Sequence, residues 1–172
     1  AKIPAPKLSV PLFAGPELVR ALEWLEAKPL PGGEKLPAEA VYVMNQPTKK
    51  VLDAVAEGAC LVMLAPQGIF PTERNRFKTG WWLGGPGDSN VGTVVYDNPI
   101  TRAIAPDGWC DIGWHRLVEG SQAVILDDLP SQPEVRVRAI EVHRLCRSKA
   151  LLFQARVGKG SLIVSGLNLA PI

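Results

Sequence analysis

Residues 58–70 read GACLVMLAPQGIF. The centre, Cys60 to Ala65, is an unbroken apolar run of strand length. A run of this kind predicts a strand buried on both faces, as in a parallel sheet covered by helices. Pro66, Gln67 and Gly68 stop it at once. The next segment, to about Gly92, carries RNRFKTGWWLGGPGDSNVG and shows neither a helical nor a strand period. Ligand sites of open α/β sheets gather beyond the carboxyl ends of the central strands. This loop is therefore the first place to expect a site.

Upstream, Ala40 to Met44 is a second strand. Thr48 is placed to cap a helix over 49–57, with Val51, Leu52 and Val55 inward and Gly58 as its stop. Strand, helix and strand over 40–65 make a βαβ unit, which implies parallel strands and a right-handed crossover. Earlier still, Gly15-Pro16 opens an expected helix with Leu18, Ala21, Leu22 and Leu25 on one face. Residues 1–16 are proline-rich and predict an extended arm, within which Lys7 to Phe13 reads either as a short strand or as part of the arm. Pro11 argues against a place for Lys7 to Phe13 at a sheet centre.

Downstream, Gly92 to Tyr96 is a candidate strand, and Ile100 to Ala105 a helical turn after Asp97-Asn98-Pro99. Residues 107–116 follow no clear period. Ala123–Leu126, Val137–Leu145, Ala150–Arg156 and Ser161–Leu167 read as strands, the last two joined by a Gly158-Lys159-Gly160 hairpin. The expected fold is α/β, a flavodoxin-like three-layer sandwich. Its sheet should be mostly parallel with an antiparallel C-terminal edge, in a single domain over 1–172. The chain starts without Met and stops just after a strand, which predicts a piece of a longer protein.

Bulk properties narrow the function classes. The chain has 172 residues with 47% apolar, enough for a globular core. A formal charge of +2, without a long basic block, gives no footprint for nucleic acid or an anionic membrane. No apolar run is long enough to span a bilayer. Three cysteines, Cys60, Cys110 and Cys146, lack CxxC spacing, which argues against a disulfide framework or structural zinc. No cofactor is expected.

Three features in order resemble the class I glutamine-amidotransferase-like superfamily, in its ThuA-like and β-galactosidase-trimerisation-like branch. They are the strand–helix–strand ending in Glu57-Gly58-Ala59 and an apolar run, the turn Asn98-Pro99-Ile100-Thr101-Arg102, and the closing hairpin Arg156 to Val164. Asn98 stands where that branch usually has His. The stretch from Thr72 to Asn90 further resembles a C-terminal domain of large bacterial glycoside hydrolases of the family 2 type. True amidotransferases carry a nucleophilic Cys on an elbow where this chain has Pro66-Gln67-Gly68, and a His-x-Glu near the end that Ser165 to Ile172 lack. The resemblance therefore implies a scaffold without its triad. It implies a non-catalytic accessory domain with the parent glycoside hydrolase as partner and no catalytic residue. It leaves open a homo-oligomer and a periplasmic or secreted bacterial parent.

Several residue groups invite a chemical reading. Trp81 and Trp82, with Asp88 and Asn90 nearby and Arg74 and Arg76 at the loop's start, form a candidate carbohydrate surface. Aromatic faces suit sugar C–H groups, and carboxylates and amides suit hydroxyls. The competing reading is that the tryptophans plug the loop onto the sheet. Glu73, Arg74, Arg76 and Lys78 suit either a solvated rim or an anion. Trp109, Cys110, Asp111, Trp114 and His115 form a second cluster, read mainly as packing. As a metal site it is short of ligands. Cys110 with His115 would be a nucleophile–base pair without an orienting third group. Asp127-Asp128 before Pro130 suits a metal or a pair of acid–base carboxylates, but reads mainly as a turn. Three functions follow: accessory domain, carbohydrate-binding module, or small hydrolase with an unrecognised nucleophile.

Overall fold

The computed structural model of the protein describes residues 8–33, 35–76 and 90–169. Among these the fold is α/β, with ten strands in mixed pairing and few helices. The chain divides into two compact units, Ala1–Leu64 with Ala155–Ile163, and Ala65–Gln154 with Val164–Ile172.

The first unit is built on parallel strands. These are β1 (Leu12–Ala14), β2 (Lys28–Pro29), β3 (Val41–Met44) and β4 (Cys60–Met63). Their order is β2-β1-β3-β4, and every pairing is parallel. The expected βαβ unit is present: β3 and β4 pair in register from Val41↔Cys60 to Met44↔Met63. Between them runs α1 (Lys49–Glu57), where Thr48 Oγ1 accepts from the Val51 N–H at 3.5 Å. Val51, Ala54 and Val55 are its buried residues, whereas Leu52 is exposed. Leu52 follows Val51 by one residue and is turned about 100° from it, off the core stripe. These side chains join Phe13, Leu36, Tyr42, Met44 and Leu61 in one apolar cluster. The Phe13 and Tyr42 rings stack at 5.6 Å, and the Tyr42 hydroxyl donates to the Pro37 carbonyl.

Three expectations fail in this unit. β1 lies between β2 and β3 and is no edge arm. Pro11 sits one residue before the strand and offers only its carbonyl, which accepts from the Val41 N–H, so its missing donor is not needed. The expected helix after Gly15-Pro16 is a series of turns ending in a 3-10 turn, Glu23–Leu25. Its apolar stripe is at best half-buried, so tertiary packing does little to support a regular helix. β4 buries Leu61 and Met63 fully but Cys60 and Val62 only partly, so one of its faces is less well covered than the other.

The closing hairpin also belongs to this unit. β9 (Lys149–Val157) turns at Gly158-Lys159 into β10 (Gly160–Ser165), which neighbours β4. The turn lies against the end of α1. The Lys159 N–H donates to the Ala56 carbonyl at 3.0 Å, and Ser161 to Ala59 at 3.1 Å. Helix ends leave such carbonyls without intrahelical partners. A Cβ on Gly160 would stand 2.2 Å from the carbonyl oxygens of Val55 and Ala59. The glycines of the Gly-Lys-Gly motif are there because backbone meets backbone.

The second unit is antiparallel. Its strands are β5 (Thr72–Arg74), β6 (Gly92–Val95), β7 (Gln122–Ile125), β8 (Glu134–Ile140) and most of β9. β5 pairs with β7, β7 and β8 with β9, and β6 with β8. Antiparallel pairing thus extends well beyond the expected C-terminal edge. Parallel strands need crossovers of a dozen or more residues. The helices described here, α2 (Pro99–Arg102) and α3 (His115–Val118), have four residues each. Asn98 caps α2 through a reciprocal bond with Thr101. Phe70 meets Phe153 edge-on at 5.9 Å.

A charged cluster lies in this unit. Glu141 Oε2 accepts from Lys149 Nζ at 2.9 Å and from the Arg147 guanidinium. Arg147 also pairs with Glu73 on β5, and Lys149 Nζ is 3.5 Å from the same carboxylate. The Val142 N–H donates to Glu141 Oε1. Burial alone would raise the Glu141 carboxyl. Hydrogen bonds from Lys149 and Arg147, the Lys149 charge and the Val142 amide outweigh it and hold the pKa below the ordinary value.

Candidate functional site

The turn after β4 follows from its residues. The Pro66 carbonyl accepts from the Ile69 N–H at 3.2 Å and the Phe70 N–H at 2.9 Å, and Gly68 takes φ 85°. Pro66, Gln67, Gly68 and Ile69 present no nucleophile, acid or base.

Trp81, Trp82 and Asp88, with Lys78, lie outside the described residues. Arg74, Arg76 and Asn90 form the stem of that loop. The Asn90 N–H donates to the Arg76 carbonyl at 2.9 Å and closes the stem. Beneath it Asn75 is wholly buried. Asn75 donates its backbone N–H to Ser121, accepts from Gly120 and donates Nδ2 to the Val118 carbonyl. Arg74 ends β5 with its guanidinium over Gly120. Asn90 is also fully buried. Its Oδ1 accepts from the Gly92 N–H and its Nδ2 donates to Thr93 Oγ1 at 3.1 Å. The structure thus gives Asn90 the work of anchoring β6. Glu73 is drawn into the charged cluster and is no rim residue.

Thr93 leads from this stem to a cavity of ≈ 420 Å³, lined by Gly92, Thr93, Cys110, Asp111, Ile112 and His115. The unassigned stretch 107–116 builds its far wall. The Asp111 carboxylate caps a 3-10 turn, Ile112–Trp114, by accepting from the Gly113 N–H at 2.8 Å. Trp114 is buried below, whereas Trp109 is 77% and Ile112 89% exposed. The tryptophans expected to pack together therefore separate, one as anchor and one at the surface.

The same cavity brings together Cys110, Asp111 and His115, the residues weighed as a nucleophile or metal set. Burial pushes the Cys110 thiol up; a hydrogen bond from Thr93 pulls it down, and the Asp111 charge raises it again, with a net rise. A raised thiol is a poor nucleophile at neutral pH. Among the described residues, no group of three or more His, Cys, Asp or Glu is placed to hold a metal ion. Asp127-Asp128 lie in a turn, where the Leu129 N–H donates to the Leu126 carbonyl at 3.1 Å, and Asp127 Oδ2 also accepts from the Ser148 N–H. No helix among the described residues is long and apolar enough to cross a membrane.

A family model described as a domain of unknown function, DUF8487, matches residues 42–171. The chain belongs to that family. The DUF8487 match begins in β3 and takes in the turn after β4, the loop stem, the cavity and the closing hairpin. No curated protein matches the chain. Sequence reasoning did not single out Thr93 or Ile112. Thr93 carries no motif, and Ile112 shows itself only as an apolar residue between Asp111 and Gly113.

Proposed function

We propose that this domain is a non-catalytic accessory domain of a bacterial glycoside hydrolase, stabilising or oligomerising the parent enzyme or shaping its active-site rim. The proposal includes a flavodoxin-like, three-layer relationship to the amidotransferase-like scaffold. One observation carries it. The strand-end turn at Pro66–Phe70 is closed by its own backbone and bears no reactive side chain. The scaffold it resembles keeps its nucleophile there. Cys110, the cysteine that shares a cavity with an imidazole, has its thiol form favoured.

The test is removal of this domain from a parent glycosidase that carries it. Loss of thermal stability or of subunit association, with turnover of a small aryl glycoside retained by the remaining assembled enzyme, agrees with the proposal. Unchanged stability, assembly and specificity would contradict it.

A second reading is a carbohydrate-binding module centred on Trp81, Trp82 and Asp88. What favours it is the stem, where Arg74 and Arg76 stand exposed at the root of that loop. Loss of glycan binding in a Trp81→Ala/Trp82→Ala variant of unchanged melting temperature would establish it.

A further inference from the structure

We infer that the outward face of β6 and β8 is a docking surface for an acidic segment of a partner protein, a carboxylate flanked by apolar side chains, with Arg138 as its anchor. β6 and β8 pair in regular register, Gly92↔Ile140, Thr93↔Ala139, Val94↔Arg138 and Val95↔Val137. Val137 and Ala139 are buried. Strand alternation therefore turns Val94, Arg138 and Ile140 to the opposite face. The Tyr96 N–H donates to the Arg136 carbonyl, which carries the same pairing on to those two residues. A Cβ on Gly92 would touch Ile140 Cδ1 at 3.8 Å, so this pair also shares the outward face.

This face is short of negative charge. Arg138 is half-buried, and its guanidinium donates from Nη1 to Ser148 Oγ at 3.0 Å. Among the described residues no carboxylate pairs with it. Arg136 beside it shares Nη2 between the Glu134 carboxylate and the Gln154 side chain, and its Nε is buried without an acceptor. One carboxylate thus serves two guanidinium groups. A half-buried cation without a counter-charge has given up water for nothing in return, and an arriving carboxylate restores the balance with the two-pronged geometry that guanidinium favours. The surroundings are apolar. Tyr96 and Ile140 are each 41% exposed, and Val94 is partly covered on the same face. Tyrosine and arginine are among the side chains that anchor protein interfaces.

The same features choose among occupants. Nucleic acid calls for a stripe of basic groups, whereas this face sets two among apolar side chains. A second copy related by a dyad would bring the same patch against itself, arginine against arginine. A small inorganic anion would leave Tyr96 and Ile140 uncovered. A peptide carboxylate with apolar neighbours answers both the charge and the apolar surface. The inference goes beyond the accessory reading and does not depend on it. A domain with no partner on this face can still stabilise a parent enzyme, and a partner that docks here need not be a glycosidase.

The experiment pans the full chain against a phage-displayed library of random short peptides and measures the enriched sequences, as labelled synthetic peptides, by fluorescence anisotropy. Enriched peptides are expected to carry Asp or Glu beside apolar residues, and to lose binding when that acid is replaced by its amide. Arg138→Met should weaken their affinity by about tenfold, the order of one lost charge-assisted contact, and Tyr96→Ala by a similar factor. Arg144, exposed on the turn after β8, lies outside this face, so Arg144→Gln should bind as the wild-type chain does. Melting temperature checks that each variant folds. Should Arg138→Met fail that check, Arg138→Lys replaces it; it keeps the charge but not the fork, and a smaller loss is expected. No enrichment, or enrichment of sequences without an acid, overturns the inference. So does affinity that is equal in the Arg138 and Arg144 variants.

Discussion

Lys149 Nζ and Glu141 Oε2 lie 2.9 Å apart, and neither side chain reaches solvent to any extent. The pair ties the end of β8 to the start of β9, and Arg147 extends it to Glu73 on β5. Removing one member of a buried pair leaves the other uncompensated, at roughly 3–5 kcal/mol. Lys149→Met should therefore lower the denaturation midpoint sharply. A Glu141→Leu/Lys149→Met double variant should lose less than the sum of the two single changes. Strict additivity in a double-mutant cycle would show that the pair is not coupled.

Acid should attack the same place. The Glu141 carboxyl is held below its ordinary pKa in the folded protein. Its contribution is complete above the unfolded value and falls as pH drops through the folded one. Melting temperature followed downward from pH 6 should therefore begin to fall in the carboxylate range. Glu141→Gln should flatten that slope. An identical acid slope in the variant would remove Glu141 from the explanation.

The closing hairpin predicts a steep contrast between glycines. A Cβ on Gly160 would meet two carbonyl oxygens at 2.2 Å, whereas a Cβ on Gly32 meets nothing within 4 Å. Backbone must move in the first case. Gly160→Ala should cost several kcal/mol, in the range of severe overpacking, roughly 1–3 or more, while Gly32→Ala should stay within about 0.5 kcal/mol. Chemical denaturation of both variants decides this, and equal midpoints would refute the contact.

The Asn98 cap can be tested in the same way. Its Oδ1 accepts from the Ile100 and Thr101 N–H groups at 2.9 and 3.2 Å. Asn98→Ala should destabilise by about 0.5–2 kcal/mol, and Asn98→Ser by less. A histidine at this position, as in the branch the motif resembles, would have to cap by different geometry.

Cys110 should react slowly. Burial disfavours its thiolate, and the Thr93 bond opposes that effect. Alkylation at neutral pH should lag behind that of a free thiol and recover as pH rises. Thr93→Val removes the opposing bond and should slow it further. Faster alkylation in that variant would contradict the arrangement.

Much of this was legible in residue order. The βαβ unit was plain because Cys60 to Ala65 is continuous and α1 shows a capped helical stripe. The hairpin was plain from Gly158-Lys159-Gly160. β5 was not, because Thr72-Glu73-Arg74 has no apolar alternation and its strand exists through pairing with β7. Pro11 misled, since a proline just outside a strand looks in sequence like one inside it. Trp109 and Trp114 were indistinguishable by composition. The Asp111 turn decides which faces inward, and that turn is held by the Asp111 carboxylate on the Gly113 N–H together with the Trp114 N–H on the Asp111 carbonyl. The cavity needed Thr93 and Ile112 brought together from segments far apart in the chain, which no local pattern encodes.

The most direct measurement is turnover. The purified chain is offered aryl glycosides, aryl esters and glutamine, beside a Cys110→Ser variant. Rates equal to those of buffer for every substrate are expected, because the turn at Pro66–Phe70 carries no reactive group and burial disfavours the Cys110 thiolate. Hydrolysis of any one of them by the wild-type chain, abolished in Cys110→Ser, would contradict a non-catalytic domain.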